Sequence, residues 1–470
     1  MATETTVLSD GSVAELREAL SGTVVAPADA DYEGARRVWN GVIDRRPALI
    51  ARCASAADVV ETVRFARSER LLTAVRGGGH NVAGHGTCDD GIVIDLSPMR
   101  AVEVDAQRRI ARVQGGALWS DVDRATQTAG LGVTGGMISH TGVAGLTLGG
   151  GIGWLMRKHG LTCDGLLAAE LVTADGTHIR ASAEEHPELL WALRGGGGNF
   201  GVVTSFELQL QPVGTVFGGG IFQPLERAGE FLRAYRDWAP QAPDELTTLL
   251  NFMTVPPAPD IPPALHGRKV LAVGFCCAGS EQEGRRAIEP LRRLGEPLLE
   301  RAGVMPYAVR NTLQDASAPH GLCSYWKSDY LTGLPDDFID LIVDRAGEMT
   351  SPASMLHLYQ LGGAVARVDE DATAYAHRSA PYLFSIISAW TDPAADPDPH
   401  IEWTRRFWSQ LRPYAEGTYV NFLGDEGADR VRDAYGAAKY ARLAAVKAEY
   451  DPTNLFRLNQ NVEPASLTRG

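Results

Sequence analysis

The residues best suited to chemistry form one glycine-rich run: Arg76, Gly77, Gly78, Gly79, His80, Asn81, Val82, Ala83 and Gly84. Glycine has no side chain, so such a run lets the backbone approach a ligand closely and adopt φ > 0. Its consecutive N–H groups form a concave donor surface for an anion such as a phosphate. His80 follows the three glycines, where a ring nitrogen can react with the bound molecule. The run therefore predicts a phosphate-binding loop and a histidine that tethers a cofactor.

Two common phosphate-binding fingerprints do not match this run. A Walker loop requires Gly-Lys-Ser/Thr after its glycines, whereas Gly79 is followed by His80. A Rossmann fingerprint requires an acidic residue about 20 positions after its glycines, and here Asp89 and Asp90 belong to a loop-like stretch. For the same reason, an NAD-dependent dehydrogenase built on the glycines of 149–153 is a weaker alternative. Taken alone, the first run is equally compatible with a structural turn and a surface histidine.

Two further glycine clusters lie in the N-terminal half, at residues 142–154 and 194–201. Three glycine-rich turns predict one extended ligand that passes between several loops. FAD fits that arrangement better than a mononucleotide does. The alternative is that the glycines occupy tight turns of an ordinary α/β sheet.

Composition and charge exclude several classes of protein. A chain of 470 residues exceeds the size of one hydrophobic core, so two or more domains are expected. The net charge of −14 argues against nucleic acid or an anionic membrane as partner, because both attract clusters of Lys and Arg. The six cysteines form no C-x-x-C pair, which disfavours a zinc ribbon or a thioredoxin-like site. Neither a secretory signal nor an apolar run of membrane-spanning length is recognisable, so a cytoplasmic location is expected.

The pattern along the chain predicts an α+β protein. Residues 54–70 have helical spacing of apolar side chains after the cap-type Ser55. Strands are expected at 91–96, 109–113 and 168–173. These elements lack a regular βαβ alternation, which favours the α+β class.

A change of pattern near residue 215 predicts a domain boundary. Proline-rich connections appear beyond it, and residues 426–448 have a helical pattern that returns the chain to its first domain. We therefore expect residues 1–215 to form one domain and 216–424 an inserted second domain. Residues 425–470 would complete the first.

Four sets of residues together resemble the berberine-bridge-enzyme-like FAD-linked oxidases, a branch of the vanillyl-alcohol-oxidase superfamily with a PCMH-type FAD-binding domain. They are RGGGHNVAG at 76–84, TLGGGIGWLMRKHGL at 147–161, LWALRGGGGNFGVVT at 190–204, and the C-terminal Tyr419-Val420-Asn421 with YDPTNLFRLNQN at 450–461. They follow the family's order and span nearly the whole chain. The resemblance implies a two-lobed FAD-binding domain made from both chain ends, with a central α+β substrate domain built on an antiparallel sheet.

The resemblance implies FAD as the cofactor, with its 8α carbon bonded to a ring nitrogen of His80. A neutral imidazole is a nucleophile near pH 7, which suits that bond. Besides the first run and Tyr419, the residues expected to contact the cofactor are His85, Gly136, His140, Thr141, Gly142, Gly145, Gly149, Gly150, Gly153, Trp154, Gly201, Val203, Asn421, Asn459 and Asn461. The alternative for His80 is a hydrogen bond to a phosphate without a covalent bond. His80 and His85 are isolated from other ligand types, so no metal site is expected.

One departure from the family concerns the number of flavin bonds. Many relatives add a second bond from a cysteine in a G-G-x-C run, and aligning that run places Ile138 at the cysteine position. Isoleucine cannot bond to flavin, so a single tether is predicted. This also puts in doubt the open oligosaccharide groove that often accompanies two tethers. Thr141 stands where side-chain size is thought to govern dioxygen access in the family, and its valine-like volume favours an oxidase.

Substrate oxidation requires a hydride acceptor and usually a base for the substrate proton. By the resemblance, Tyr419 lies at the flavin on the substrate side. A phenol with a pKa of about 10 is a poor base without a nearby cation, and Lys327 is the candidate cation. His357 and Tyr359 alternate in a strand-like run, so they share one face, expected at the substrate pocket. Relatives often have carboxylates in this region, which leaves the base unassigned.

Each of these residues also has a purely structural explanation. Tyr419 can be a core tyrosine, and His357 and Tyr359 can be a pair on a sheet face inside a domain core. Together the features predict a FAD-dependent oxidase that oxidises a small-molecule alcohol, amine or secondary metabolite by hydride transfer to flavin N5, with O2 as electron acceptor. A dehydrogenase with another acceptor and a non-catalytic flavin- or metabolite-binding protein are the alternative functions. A monomer or homodimer is expected, and the substrate depends on a pocket that a single sequence does not show.

Overall fold

The computed structural model describes residues 8–259 and 261–466. Four β-sheets and their helices make up this part of the chain. Parallel strand pairs occur within one of the four sheets, and the pairs of the other three are antiparallel. The predicted α+β class is therefore confirmed.

The first sheet carries the loop that contains His80. Its elements are β1 (Thr23–Val25), β2 (Leu49–Arg52), β3 (Thr73–Arg76) and β4 (Ile92–Asp95), with α1 (Asp10–Ala19), α2 (Tyr32–Ala35) and α3 (Ala56–Ser68). The order is β1-β2-β4-β3, and β4 is parallel to both β2 and β3. Helix α3 begins after Ser55, whose hydroxyl accepts a hydrogen bond from the Asp58 N–H. Strand β3 ends at Arg76, so the glycine loop leaves the carboxyl end of this strand.

The second sheet follows in sequence, and the other two glycine clusters lie in the connections between its strands. Its strands are β5 (Val102–Asp105), β6 (Ile110–Gln114), β8 (Leu166–Val172), β9 (His178–Ser182) and β10 (Val202–Gln209), while β7 (Leu131–Gly132) and β11 (Gln211–Pro212) pair separately. The accompanying helices are α4 (Trp119–Gln127), α5 (Val143–Leu148), α6 (Met156–His159) and α7 (Pro187–Leu193). The order is β5-β6-β10-β8-β9, antiparallel throughout.

A seven-stranded antiparallel sheet occupies the central part of the chain. Its strands are β12 (Thr215–Pro224), β13 (Leu246–Thr254), β14 (Lys269–Cys277), β15 (Leu299–Pro306), β16 (Cys323–Leu331), β17 (Met355–Gln360) and β18 (Tyr382–Trp390). The helices between them are α8 (Ala228–Trp238), α9 (Glu281–Arg293), α10 (Tyr307–Arg310), α11 (Asp336–Gly347), α12 (Ala364–Arg367) and α13 (Asp398–Leu411). The order is β15-β12-β14-β13-β17-β18-β16. The expected antiparallel sheet is present, and the domain limits themselves stay a prediction.

The two faces of this sheet pack against different partners. Leu250, Leu356 and Leu358 join a hydrophobic core with residues of α8, α11 and α13. Leu249 and Tyr359, one position away in their strands, join another core that contains Tyr419 and residues of the second glycine cluster. Strand alternation thus directs one set of side chains to the helices and the other to the N-terminal half.

The C-terminal segment returns to the first half of the chain. Instead of one helical stretch over 426–448, the structure has α14 (Ala428–Tyr435) and α15 (Ala437–Tyr450). They are separated at Gly436, whose φ of 71° ends the first helix. Leu443 of α15 lies in the same core as Leu190 of α7, so the C-terminus packs on the N-terminal part.

A buried ion pair anchors this segment. Lys447 Nζ donates to Asp451 Oδ2 at 2.7 Å, and neither side chain is exposed. The same ammonium donates to the carbonyl oxygens of Asn199 and Phe456, at 2.7 and 3.0 Å. One lysine therefore joins the third glycine cluster to the chain end.

Replacing Lys447 by methionine should leave Asp451 buried without its counter-charge. We expect Lys447→Met to lower the free energy of unfolding by about 3–5 kcal/mol, the usual range for breaking a buried pair. Arg442→Met on the same helix is the matched control, because Arg442 pairs with Glu188 at the surface. The control should lose about 1 kcal/mol or less. Equal losses in denaturant unfolding would contradict the anchoring role.

Candidate active site

A large cavity lies between the glycine loops, the seven-stranded sheet and the C-terminal segment. On the N-terminal side, the predicted residues that line it are Arg76, Gly77, Gly78, Gly79, His80, Asn81, Val82, His85, Gly136, Thr141, Gly142, Gly145, Gly201 and Val203. On the other sides they are His357, Tyr359, Tyr419, Asn421 and Asn459. Folding therefore brings most of the predicted site residues to one cavity from distant parts of the chain.

The first glycine run presents free hydrogen-bond donors. From Gly78 to Val82, no backbone N–H donates to an acceptor in the described part of the chain. Gly78 approaches the second glycine cluster so closely that a Cβ would lie 2.3 Å from the Gly142 nitrogen. Gly79, with φ of 70°, accepts a hydrogen bond from the Trp39 N–H at 3.0 Å. The loop is held in place while its N–H groups stay available, as an anion such as a pyrophosphate requires.

Arg76 fixes the start of this loop. Its guanidinium pairs with Asp95 at 2.8 Å, and both side chains are almost fully buried. The two residues are directly opposite each other in the parallel pair of β3 and β4. The charge of Arg76 is therefore already compensated within the protein.

His80 is surrounded by aromatic rings from three other segments. Trp39 stacks on its imidazole at a centroid distance of 5.2 Å, and His80 Nε2 and His140 Nδ1 share a hydrogen bond of 2.8 Å. The His320 ring lies 5.6 Å from the His80 ring. Burial, and then the neighbouring His140 and His320, lowers the pKa of His80 to about 3. The ring is neutral near pH 7, the form that acts as a nucleophile.

This histidine cluster changes the expected position of His140 and the argument that His80 is isolated. His140, expected at the flavin, is not part of the cavity wall and contacts the ring of His80 instead. The candidate ligand nitrogens of His80, His140 and His320 lie within 4.8 Å of one another. The sequence argument that His80 is isolated overlooks these two histidines, which folding brings from distant segments. The absence of a metal site stays a prediction.

Tyr419 is buried, and its hydroxyl oxygen is bound from two sides. The Gly151 N–H and the Asn421 amide nitrogen each donate to it at 2.9 Å. Burial raises the pKa of Tyr419 to about 12, although both hydrogen bonds act in the opposite direction. Tyr419 therefore keeps its proton near pH 7, and its O–H is free to donate.

The second glycine cluster accommodates this C-terminal segment. A Cβ on Gly149 would lie 2.1 Å from Asn421 Oδ1, and one on Gly150 would lie 2.7 Å from a tyrosine ring. A Cβ on Gly153 would lie 2.0 Å from the Gly135 carbonyl oxygen. These three glycines, expected at the flavin, do not line the cavity. They let neighbouring segments approach one another, because no side chain intervenes.

Three more predicted residues lie outside the cavity wall. Trp154 is fully buried, with the Arg310 guanidinium 3.6 Å from its ring centroid, and is a core residue. Gly84 has φ of 77°, and a Cβ there would overlap Ile43, so the turn itself requires glycine. Asn461 lines a neighbouring pocket that shares His85 and Asn459 with the cavity wall.

His85 and Asn459 present polar atoms that have no protein partner. His85 Nδ1 and Asn459 Oδ1 are buried and make no hydrogen bond within the described residues. Burial lowers the pKa of His85 to about 4, so its ring is neutral at physiological pH. Both residues line the cavity, where these atoms are available to a cofactor.

His357 and Tyr359 share the cavity face of β17, as their alternation predicts. His357 Nδ1 and the Tyr359 hydroxyl are hydrogen-bonded at 3.0 Å. Burial lowers the pKa of His357 to about 4 and raises the pKa of Tyr359 well above its usual value. The Nε2 atom of His357 is buried and has no partner among the described residues. The cavity thus contains a neutral imidazole with one unoccupied nitrogen.

Lys327 faces away from this cavity. Strand β16 alternates, so Trp326 lines the cavity while Lys327 points to the helix side. There it forms an ion pair with Glu426, and its ammonium lies 4.6 Å from the Trp408 ring centroid. The prediction that Lys327 assists Tyr419 is therefore wrong, because the position in the strand places it on the opposite face.

Several site residues were not recognised from the sequence. Trp39 stacks on His80, and Asn40 bonds the Val82 carbonyl and both backbone groups of Ser324, all at 2.9–3.0 Å. His320 completes the histidine cluster. None of these belongs to a glycine-rich motif, so no local signal marks them.

Comparisons with known proteins agree with this geometry. The family profile described as "FAD binding domain" matches residues 47–182, and the profile described as "Berberine and berberine like" matches residues 418–463. An FAD-linked oxidoreductase of Dictyostelium discoideum is 32% identical over 458 residues, which cover 96% of this chain and 97% of that protein.

Two comparisons concern enzymes with a named reaction. The (R)-6-hydroxynicotine oxidase of Paenarthrobacter nicotinovorans is 32% identical over 467 residues, covering 95% of this chain and 97% of that protein. The crystal structure of 6-hydroxy-D-nicotine oxidase from Arthrobacter nicotinovorans superposes with a TM-score of 0.86 at 29% identity, over 99% of this chain and 100% of that chain.

The residues present fit FAD. The loop of free N–H groups suits the pyrophosphate, and the unpartnered polar atoms of His85 and Asn459 offer further hydrogen bonds. Within residues 8–259 and 261–466, no helix combines the length and apolar character that crossing a bilayer requires. The chain belongs to the berberine-bridge-enzyme-like family of FAD-linked oxidoreductases, and it is an enzyme that uses FAD.

Proposed function

We propose that this oxidoreductase is an oxidase that carries its flavin on a single bond to His80 and oxidises a small-molecule alcohol or amine. The observation that carries the proposal is the position of His80, a partly buried, neutral imidazole at the end of a loop with free N–H donors. The relative named as a 6-hydroxynicotine oxidase supports oxidase chemistry on a small molecule.

Bound FAD would offer its 8-methyl carbon and its oxidising capacity, with dioxygen as the final electron acceptor. His80 would contribute the ring nitrogen that loses its proton and bonds to that carbon. The contacts around His80 serve this step. Trp39 holds the plane of the imidazole, and His140 binds one of its two nitrogens, which leaves the other for the bond.

The cavity also supports a single tether and access for dioxygen. Ile138 lines it at the position of the second tether in relatives, and its aliphatic side chain offers no nucleophile. Thr141 lines the same wall, and its small side chain supports access of dioxygen. A cytoplasmic location is the remaining part of the proposal, supported by six cysteines that are all free and buried.

Bound FAD supplies the hydride acceptor, and the chain supplies the groups that hold the substrate. Tyr419, protonated and with its oxygen accepting from Gly151 and Asn421, has an O–H that is free to donate to a substrate. His357 offers its unoccupied nitrogen to the proton of the substrate hydroxyl or amine. No Asp, Glu or Lys among the described residues lines the cavity, so His357 takes the place of a carboxylate base.

The tether can be tested without a substrate. We expect the purified protein to be yellow, and the colour to stay with the pellet after acid precipitation. His80→Ala should release all flavin into the supernatant, because its nucleophile is missing. His266→Ala is the control, since His266 bonds only a loop carbonyl in the central part of the chain. A wild-type colour that washes off, or His80→Ala protein that retains it, would refute the bond.

Oxidase activity can be tested separately from the tether. After anaerobic photoreduction, mixing with air should restore the oxidised flavin spectrum rapidly and release hydrogen peroxide. Thr141→Phe should slow the re-oxidation of its flavin-loaded fraction at least about tenfold, because a ring would fill the proposed dioxygen path. Slow re-oxidation of the wild type would point to a dehydrogenase instead.

The partly buried imidazole of His357 predicts how stability depends on pH. Its pKa is lowered from 6.5 to about 4, so on acidification the unfolded chain takes up this proton first. The stabilisation is fully present above pH 6.5 and is lost as the pH falls towards 4. We expect the thermal midpoint of His357→Leu to fall less than that of the wild type between pH 7 and 4.5. His266→Leu is the control. If the thermal midpoints of the wild type and His357→Leu fell in parallel with pH, a neutral His357 in the folded protein would be contradicted.

A further inference from the structure

Resting on the proposed function, we infer that His140 and His320 form a proton path that serves the bond between His80 and FAD. His140 accepts the proton that the His80 ring must lose, and His320 passes it on to solvent. We call these three imidazoles the histidine path. Its role is to attach the cofactor, which is a separate step from the oxidation of a substrate.

The hydrogen bond between His80 and His140 selects the tautomer of His80 that can react. His80 Nε2 and His140 Nδ1 are 2.8 Å apart, and the ring of His80 makes no other hydrogen bond within the described residues. In a neutral imidazole, one nitrogen carries the proton and the other a lone pair. When the proton is on Nε2 and is donated to His140, the lone pair is on Nδ1 and is available for the bond to carbon.

The bond to carbon requires His80 to release a proton. Overall, the N–H bond of His80 and one C–H bond of the FAD 8-methyl group are exchanged for one N–C bond. The two electrons and two protons that are released leave with dioxygen as hydrogen peroxide. The histidine path carries the proton from His80, because His140 is the hydrogen-bond partner of the nitrogen that holds it.

A lasting charge on His80 would be unfavourable at this position. Bonding at Nδ1 leaves a positive charge on the ring until Nε2 gives up its proton. Burial, and then the neighbouring His140 and His320, lowers the pKa of His80 to about 3, which reflects the cost of a charge here. No described residue of the cavity wall is Asp or Glu, so no carboxylate there compensates the charge. Transfer of the proton to His140 moves the charge away from the cavity.

His320 extends the path from His140 to the surface. The two rings have a centroid distance of 5.1 Å, and candidate nitrogens of all three histidines lie within 4.8 Å of one another. One water molecule can bridge such a separation. His320 is exposed, whereas His80 and His140 are partly buried. Because an imidazole can accept a proton at one nitrogen and release one from the other, the three rings lead a proton from the cavity to solvent.

Charged side chains near the path already have partners. Arg76, at the start of the same loop, is paired with Asp95. Asp315 accepts hydrogen bonds from the N–H and the hydroxyl of Ser139, the residue before His140. Within residues 8–259 and 261–466, no Asp, Glu, Lys or Arg forms a hydrogen bond or an ion pair with the three imidazoles. Proton transfer therefore depends on the imidazoles themselves.

The histidine path is assembled from two parts of the chain. His320 belongs to the central part, whereas the other two histidines belong to the N-terminal half. The Trp39 indole N–H donates to the Ala318 carbonyl oxygen, and the Gly321 N–H donates to the Trp39 carbonyl oxygen, both at 2.9 Å. Trp39 also stacks on His80. The path is therefore complete only after the central sheet has docked on the glycine loops, so attachment of FAD follows assembly of both parts.

The rate of attachment to FAD-free protein tests the path. The full chain is produced in cells deprived of riboflavin and is mixed with saturating FAD in air, and acid-stable flavin is measured over time. We expect His140→Gln to slow attachment at least about tenfold, because glutamine can accept the hydrogen bond of His80 but cannot take its proton. His320→Ala should slow attachment less, because water can replace the last imidazole.

Chemical rescue separates proton transfer from support of the fold. In His140→Ala, added imidazole should raise the rate of attachment at least about fivefold, because it supplies the missing proton acceptor. Non-covalent FAD binding, measured from the quenching of flavin fluorescence, shows whether the variant is folded. His266→Ala is the control, since His266 bonds a loop carbonyl far from the path. It should attach FAD at the wild-type rate and should not respond to imidazole.

Two results would overturn the inference. One is attachment by His140→Gln at the wild-type rate, and the other is a folded His140→Ala that does not respond to imidazole. If His140→Ala failed to bind FAD, the rate of His140→Gln would decide. Failure of the proposed function gives a different result, because the wild type itself would then form no acid-stable flavin.

Discussion

The cavity depends on glycine positions at which chain segments approach one another closely. Gly78 lies in the loop after β3 and Gly142 directly before α5, and a Cβ on Gly78 would lie 2.3 Å from the Gly142 nitrogen. Gly149 meets the side chain of Asn421 in the same way, at 2.1 Å from an added Cβ. Side chains at these positions would separate the segments that carry His80 and Tyr419. The glycine clusters therefore mark places where chain segments meet, as well as places where a cofactor can lie close to the backbone.

Hydrogen bonds between the two halves then fix the substrate wall over the glycine loops. Asn40 bridges the His80 loop and β16 through Ser324, with contacts of 3.0 Å. Asp315 receives the backbone N–H and hydroxyl of Ser139 at 2.8 and 2.6 Å. These bonds position the seven-stranded sheet relative to the first two sheets. Alternation within its strands then decides which side chains reach the cavity.

The electrostatic character of the cavity is unusual for an enzyme that must remove a proton. Its titratable side chains are either neutralised by burial, as in His80, His85 and His357, or paired, as in Arg76. Tyr419 keeps its proton for the same reason. Burial without counter-charges lets the imidazoles act as neutral nucleophile and hydrogen-bonding groups. The same absence of free charge restricts which molecules can enter the cavity.

The sequence alone determined the class of fold, the central antiparallel sheet through the family resemblance, the FAD cofactor, and the glycine loop that ends in His80. The fold class and the glycine loop follow from local composition and periodicity, whereas the central sheet and the tethered FAD were implied by the family resemblance. It also placed His357 and Tyr359 on one face of a strand. Tertiary structure alone decided that Lys327 faces the helices, that His140 and His320 surround His80, and that Asn251 stands opposite His357. Those outcomes depend on strand register and long-range packing, for which neighbouring residues in sequence carry no signal.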